Sequence, residues 1–181
     1  MFPIPIPPPA GRQTASPQTA TRRRVALGLL ALAVPTRAAA SCPAPTVLFI
    51  CPAGTVKSAI ARETLAQRAA RAGAPVRAMS RGVHPEDHVS PALAASLLAD
   101  GIDPRREPVR AFAASDLATA DIVIAFDEAA DAPSLSAARV WRTPSWNSDY
   151  TGARRALAGQ IDDLLEELRR APCAVAPKSP R

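Results

Sequence analysis

An α/β domain built on a small four-stranded parallel sheet, with helices on both faces, is the fold class this sequence predicts. Short apolar runs alternate with helix-period segments between residues 46 and 170, the order expected of a parallel sheet. The best of these runs, VLFI and DIVIAF, are almost continuously apolar, as strands covered on both faces are. The chain has 181 residues, 48% of them apolar and only 4% aromatic, so a sizeable core is available and must be made mostly of Ala, Leu, Val and Ile.

Each element has a local reason. Residues 47–50 are an apolar run between prolines and a glycine-containing loop, which marks a buried strand. Residues 58–71 carry Ile60, Ala61, Leu65 and Ala69 at helical spacing, and Gly73 and Pro75 end the helix. A second strand is predicted over 76–80, ending at Gly82. Ser90-Pro91 opens a helix that runs to Asp100-Gly101, because serine caps and proline at the first helical position loses no hydrogen bond. A helical turn begins at Ser115, and residues 121–126 give the strongest strand signal. Residues 139–142 form a weaker fourth strand. Residues 153–170 form the last helix, with Leu157, Ile161, Leu164, Leu165 and Leu168 on one face and arginines at its C-terminal end.

The ends of the chain read differently. Prolines crowd the first 17 residues and the stretch after Ala171, so both termini are expected to be extended, with a disordered tail over 172–181. The net charge is +6, but five of the 22 basic side chains lie in the first 40 residues, which hold no acid. What remains is 17 basic against 16 acidic groups. No basic stripe interleaved with aromatics is present, so nucleic acid is not an expected partner. Thr21-Arg22-Arg23-Arg24-Val25, the short apolar run 25–34 and the small-residue site Ala38-Ala39-Ala40 together read as a secretory signal over residues 1–40. The paired arginines resemble the bacterial twin-arginine signal. The run is too short to span a bilayer, so no membrane anchor is expected after cleavage. The domain proper is then 41–171, exported to the periplasm or beyond.

The chemistry concentrates in VLFICPAGTVKSAIAR, residues 47–62. In parallel sheets ligands bind beyond the carboxyl ends of the strands, and Cys51 stands at such an end. A loop turning from strand into helix aims backbone N–H groups at one point, and the helix N-terminus adds positive potential there. Such a site favours the thiolate of a cysteine, with Lys57 adding a full charge and Ser58 a hydrogen bond. These parts suit nucleophilic attack on a phosphate ester. A cysteine is also among the most frequently buried residue types, so the residues by themselves equally describe a core thiol at a strand end.

The loop resembles that of the low-molecular-weight protein tyrosine phosphatases and the related thioredoxin-coupled arsenate reductases, where Cys, five residues, Arg and Ser follow the first strand. The likeness continues through Ser80-Arg81-Gly82-Val83, through SPALAASLLADGIDPRREPVRAF (residues 90–112) and through ATADIVIAFDEA (residues 118–129). It implies this family's fold, an anion loop formed by Pro52, Ala53, Gly54, Thr55, Val56, Lys57 and Ser58, and Cys51 as nucleophile. No cofactor or metal is implied, and the expected partner is a phosphate ester or oxyanion.

The departures bear on activity. Lys57 stands in place of the arginine, a point charge in place of a planar fork. Gly54 replaces the loop asparagine and Val56 a second cysteine. The family's general acid sits in an Asp-Pro pair after the fourth strand; here the stretch reads TPSWNSDY (residues 143–150), with Asp149 as its only carboxylate and the candidate acid. Losing the acid would cost roughly 10²–10⁴-fold in rate. Trp146 and Tyr150 are candidates for an aromatic wall beside the substrate, or for ordinary packing. Arsenate reduction of the coupled kind needs two further cysteines, and only Cys42 and Cys173 remain. The topology puts both at the opposite end of the domain from Cys51, where a stapling disulfide between them suits an exported domain; the alternative is two unpaired thiols in loose ends. His84 and His88, the only histidines, lie in a loop read as solvated. The functions in play are therefore an exported phosphomonoesterase working through a cysteinyl phosphate, an oxyanion or phospho-ligand binding module with little turnover, and an arsenate reductase.

Overall fold

The computed structural model describes residues 43–170; the expected signal segment, Cys42, Cys173 and the tail lie outside the described residues. Four strands, β1 (Thr46–Cys51), β2 (Arg77–Gly82), β3 (Ile122–Phe126) and β4 (Arg139–Trp141), form one sheet in the order β2-β1-β3-β4. All three pairings are parallel. The helices are α1 (Lys57–Arg71), α2 (Pro91–Ala99), α3 (Ala114–Thr119) and α4 (Tyr150–Arg170), with two 3-10 turns at Asp127–Asp131 and Pro133–Leu135.

Side chains of β1 alternate between two cores, as the strand period requires. Val47, Phe49 and Cys51 pack with Ile60 and Leu65 of α1, Leu93 and Leu97 of α2, and Leu157, Ile161 and Leu164 of α4. Leu48 and Ile50 face the other way, toward Ala129, Leu135 and the half-buried Leu117 of α3. The sheet is thus covered on both faces, and this is why β1 is buried throughout. The few aromatics cluster: Phe49, Phe126 and Trp141 have ring centroids 5.8 to 6.3 Å apart. A buried ion pair, Arg62 to Glu63 at 3.0 Å, ties α1 to the chain after α2 through the Pro104 carbonyl and Arg106.

Several boundaries move from the sequence expectation, each for a visible reason. β2 starts one residue later than expected, at Arg77, and ends as expected at Gly82, which pairs with Cys51 on one side and bridges to Ala111 on the other. Asp121 stops short of β3: its carboxylate accepts the Thr46 N–H at 2.8 Å and so pins the start of β1 instead. α4 begins at Tyr150 rather than 153, because Asp149 caps it; the Asp149 carboxylate accepts the Gly152 N–H at 2.9 Å. At α2 the expected cap is found, with the Ser90 hydroxyl accepting the Leu93 N–H and Pro91 in the first turn.

Candidate active site

The connection leaving β1 leads to β2 on one side, and the connection leaving β3 leads to β4 on the other. The carboxyl ends of β1 and β3 therefore flank the switch point where ligands settle in open α/β sheets. Cys51 ends β1 and Asp127 follows β3.

The loop from Cys51 to Lys57 is held by its carbonyls. The amides of Val83, His84 and Glu86 donate to the carbonyls of Cys51, Pro52 and Ala53 at 3.1, 2.8 and 3.0 Å. With these carbonyls engaged by the segment that follows β2, the loop's N–H groups are left for its concave side. The Gly54 N–H donates to Cys51 Sγ at 3.1 Å. The amides of Ala53, Thr55, Val56, Lys57 and Ser58 have no acceptor among the described residues. No side chain caps the start of α1. An uncapped helix start continuous with a run of unpaired amides is an anion nest. The Thr55 hydroxyl is also without a partner, on a residue only 4% exposed.

Two glycines permit this packing. Gly54 has φ +78°, a region open to glycine and next to asparagine and aspartate, which is why it can stand where the related loops have asparagine. A Cβ on Gly54 would fall 2.8 Å from the Gly82 nitrogen, and one on Gly82 would fall 2.7 Å from the Ala53 carbonyl oxygen. The loop and the end of β2 meet backbone to backbone, and neither position has room for a side chain.

Cys51 is a free thiol, 3% exposed. Its sulfur lies 3.1 Å from the hydroxyl of the fully buried Ser58, which also lies 3.3 Å from the Arg81 carbonyl oxygen. The hydroxyl has one proton. When Cys51 is a thiol, it donates to Ser58, which donates to the carbonyl. When Cys51 is a thiolate, Ser58 turns its proton onto the sulfur. The same two residues therefore accommodate both forms without moving.

Lys57 Nζ is paired with the carboxylate of Asp127, and the two side chains are 22% and 21% exposed. Asp127 adopts φ +52°, the only described non-glycine residue with positive φ. Sequence reasoning did not single out Asp127. The signal was available, since it follows the strongest strand just as Cys51 ends the first one. The Asp127 carboxylate thus engages the cation at the start of α1.

The remaining candidates are each held by contacts of their own. Asp149 is engaged as the cap of α4. Trp146 is 3% exposed, packed in the core and edge-on to Tyr150 at 5.8 Å, so it has almost no free surface to serve as a wall. The Tyr150 hydroxyl donates to Asp100, and its oxygen also lies 3.2 Å from the Ser96 carbonyl oxygen. Its pKa is pushed up to about 12 by burial and by the bond to Asp100. His88 lies 3.3 Å from Glu86 in an exposed loop, and among the described residues no group of three or more His, Cys, Asp and Glu is placed to hold a metal. Below the loop, Arg81 pairs with Asp116 at 2.8 Å. Burial opposes ionisation of Asp116, but the hydrogen bonds from Arg81 and the Ala113 N–H, with the charges of Arg81 and Arg110, outweigh it and hold the pKa below the usual value.

Comparison with known proteins follows the same outline. The low-molecular-weight phosphotyrosine protein phosphatase model matches residues 46–163. Among solved structures, the low-molecular-weight protein tyrosine phosphatase of T. tengcongensis is 22% identical at TM-score 0.58, covering 69% of this chain and all of its own. One from Bacillus subtilis is 17% identical at TM-score 0.56, covering 69% and 97%. The thioredoxin-dependent arsenate reductase of Corynebacterium glutamicum is 21% identical at TM-score 0.55, covering 71% and 63%. A comparison with curated proteins returns no match. With the family model spanning well over half of the sequence, from the first residue of β1 into α4, the chain belongs to the low-molecular-weight phosphotyrosine protein phosphatase family.

Proposed function

We propose that the chain is an exported phosphomonoesterase that works through Cys51. The observation that carries this reading is the nest: a cysteine sulfur touched by Gly54 N–H and Ser58, inside a loop whose other amides are unpaired. The Cys51 thiolate attacks phosphorus, a sulfur–phosphorus bond forms, and the bond to the leaving oxygen breaks. Water then attacks phosphorus, the sulfur–phosphorus bond breaks, and phosphate and thiolate are released. The loop amides and Lys57 hold the equatorial oxygens, where charge is greatest. The leaving oxygen needs a proton unless it is already a good leaving group.

One observation favours the second reading, a phospho-ligand or oxyanion binding module: Lys57 is engaged by Asp127. Both readings require oxyanion binding, and only the first requires turnover. Arsenate reduction fits less well, because Cys51 is the only cysteine among the described residues and any relay would depend on Cys42 and Cys173.

The deciding experiment incubates the protein with nitrophenyl phosphate, quenches in acid and looks by mass spectrometry for a phosphoryl group on the peptide containing Cys51. A Cys51 phosphopeptide, with release of nitrophenol lost in Cys51→Ser, supports the enzyme. Vanadate binding without Cys51-dependent release moves the assignment to the binding module.

A further inference from the structure

A cavity of about 90 Å³ lies between the second half of α1, the turn after α2 and the first half of α4. Its wall includes Thr64 and Arg71 of α1, Asp100, Trp146 and Arg154. Thr64 and Arg71 are ~10 and ~21 Å along α1 from Lys57, at 1.5 Å per residue. The cavity is therefore separate from the loop around Cys51. Its volume is several times the roughly 15 Å³ that one water needs.

The wall is rich in donors. Arg68, Arg71 and Arg154 all line it, against the single carboxylate of Asp100. That carboxylate is already used by Arg154, at 3.1 Å, and by the Tyr150 hydroxyl. Arg68 is paired outward to Asp162. Arg71 has no ion-pair or hydrogen-bond partner among the described residues. Two further wall residues carry buried polar atoms with no partner, Trp146 Nε1 and Thr64 Oγ1. An indole N–H only donates, and it sits here on a side chain 3% exposed. Buried donors without acceptors are rare and call for a guest. The excess of guanidinium over carboxylate makes that guest an anion.

We propose that this cavity binds a small oxyanion, held by Arg71 and by the Trp146 N–H and Thr64 hydroxyl after small side-chain shifts. The charge of Arg71 supplies attraction and the two neutral donors supply direction. This site is independent of the chemistry at Cys51.

The test reads two nuclear-magnetic-resonance signals in the full chain as inorganic phosphate, and separately acetate, is titrated to tens of millimolar. The Trp146 indole N–H is identified as the indole signal absent from Trp146→Phe, since only Trp141 and Trp146 contribute. The Gly54 amide reports the Cys51 loop separately. The expected result is a saturable downfield shift of the Trp146 indole with at least one of the two anions. In Arg71→Gln, an exposed position, apparent affinity read at the Trp146 indole should fall about tenfold or more, while the Gly54 response is unchanged. An indole signal that neither anion moves overturns the proposal. So does a shift whose affinity is the same in Arg71→Gln. A silent Gly54 amide would count against the reading of the Cys51 loop and leave this one standing on the Trp146 signal.

Discussion

At the scale of single residues, Lys57 is where the proposed phosphatase reading is most directly tested. Its ammonium is a point charge already paired with Asp127. Arginine has five donors in a planar fork, so it can keep Asp127 on one edge and grip two phosphoryl oxygens with the other. Lys57→Arg should therefore raise kcat/KM on nitrophenyl phosphate by about tenfold, a little over 1 kcal/mol of transition-state stabilisation. A lower rate would mean that the fork does not fit the loop. The proton donor is a second single-residue matter. The stretch after β4 has no Asp-Pro pair; Thr143-Pro144 lies two residues beyond the strand, and the Thr143 hydroxyl is buried without a partner. Thr143→Asp should speed hydrolysis of phenyl phosphate by at least ~10-fold, the low end of general acid catalysis, and change nitrophenyl phosphate little. Asp149→Asn is the control. Asparagine caps helices as well as aspartate does, so stability should hold and the two substrates should respond alike. A selective loss on phenyl phosphate in Asp149→Asn would instead return the acid to Asp149.

At the scale of elements, α3 is short, buries none of its residues and depends on its anchor. Asp116 bonds the Ala113 N–H at 2.9 Å and pairs with Arg81 at the end of β2. Its pKa is lower folded than unfolded, so its contribution is complete above the ordinary carboxylate value of about 4. It is lost as pH falls through the lowered folded value. Asp116→Asn should thus lower the melting temperature at neutral pH and narrow the gap from wild type below about pH 4. A gap that stays constant through this range would show that the carboxylate charge does not anchor α3. Which elements exist was legible from sequence, because β1 and β3 are continuous apolar runs bounded by loop signals and α1 carries a helical period. Their limits were not. Asp149 reads as a loop carboxylate until its bond to Gly152 is seen, and Asp121 reads as the first residue of a strand until its bond to the Thr46 N–H is seen. The Cys51–Ser58 loop was legible because strand, loop and helix start are contiguous. Asp127 and the Arg81–Asp116 pair were not, since they reach the site from other strands and helices.

At the scale of the whole molecule, charge and chemistry are separated along the chain. Residues 1–40 carry five arginines and no acid, whereas the rest is near balance, with 17 basic and 16 acidic groups. A near-neutral domain gains little from long-range steering of an anionic substrate. Under the proposed function, capture falls to the local nest and Lys57. The basic charge has a different use in an export signal, where a basic region precedes a short apolar core and a small-residue site. We propose the twin-arginine route, which implies that the domain folds before it crosses. Arg22→Lys with Arg23→Lys keeps the charge and removes the guanidinium pair, so it discriminates a receptor reading the arginines from simple electrostatic attraction. Expressed with its full N-terminus in a bacterium carrying this pathway, the native chain should appear in the periplasm shortened by about forty residues, as the small-residue site predicts. The double variant should remain in the cytoplasm at full length. Normal processing of the double variant would exclude the twin-arginine route and leave general secretion. Full-length protein retained in the cytoplasm with the native sequence would remove export from the reading altogether.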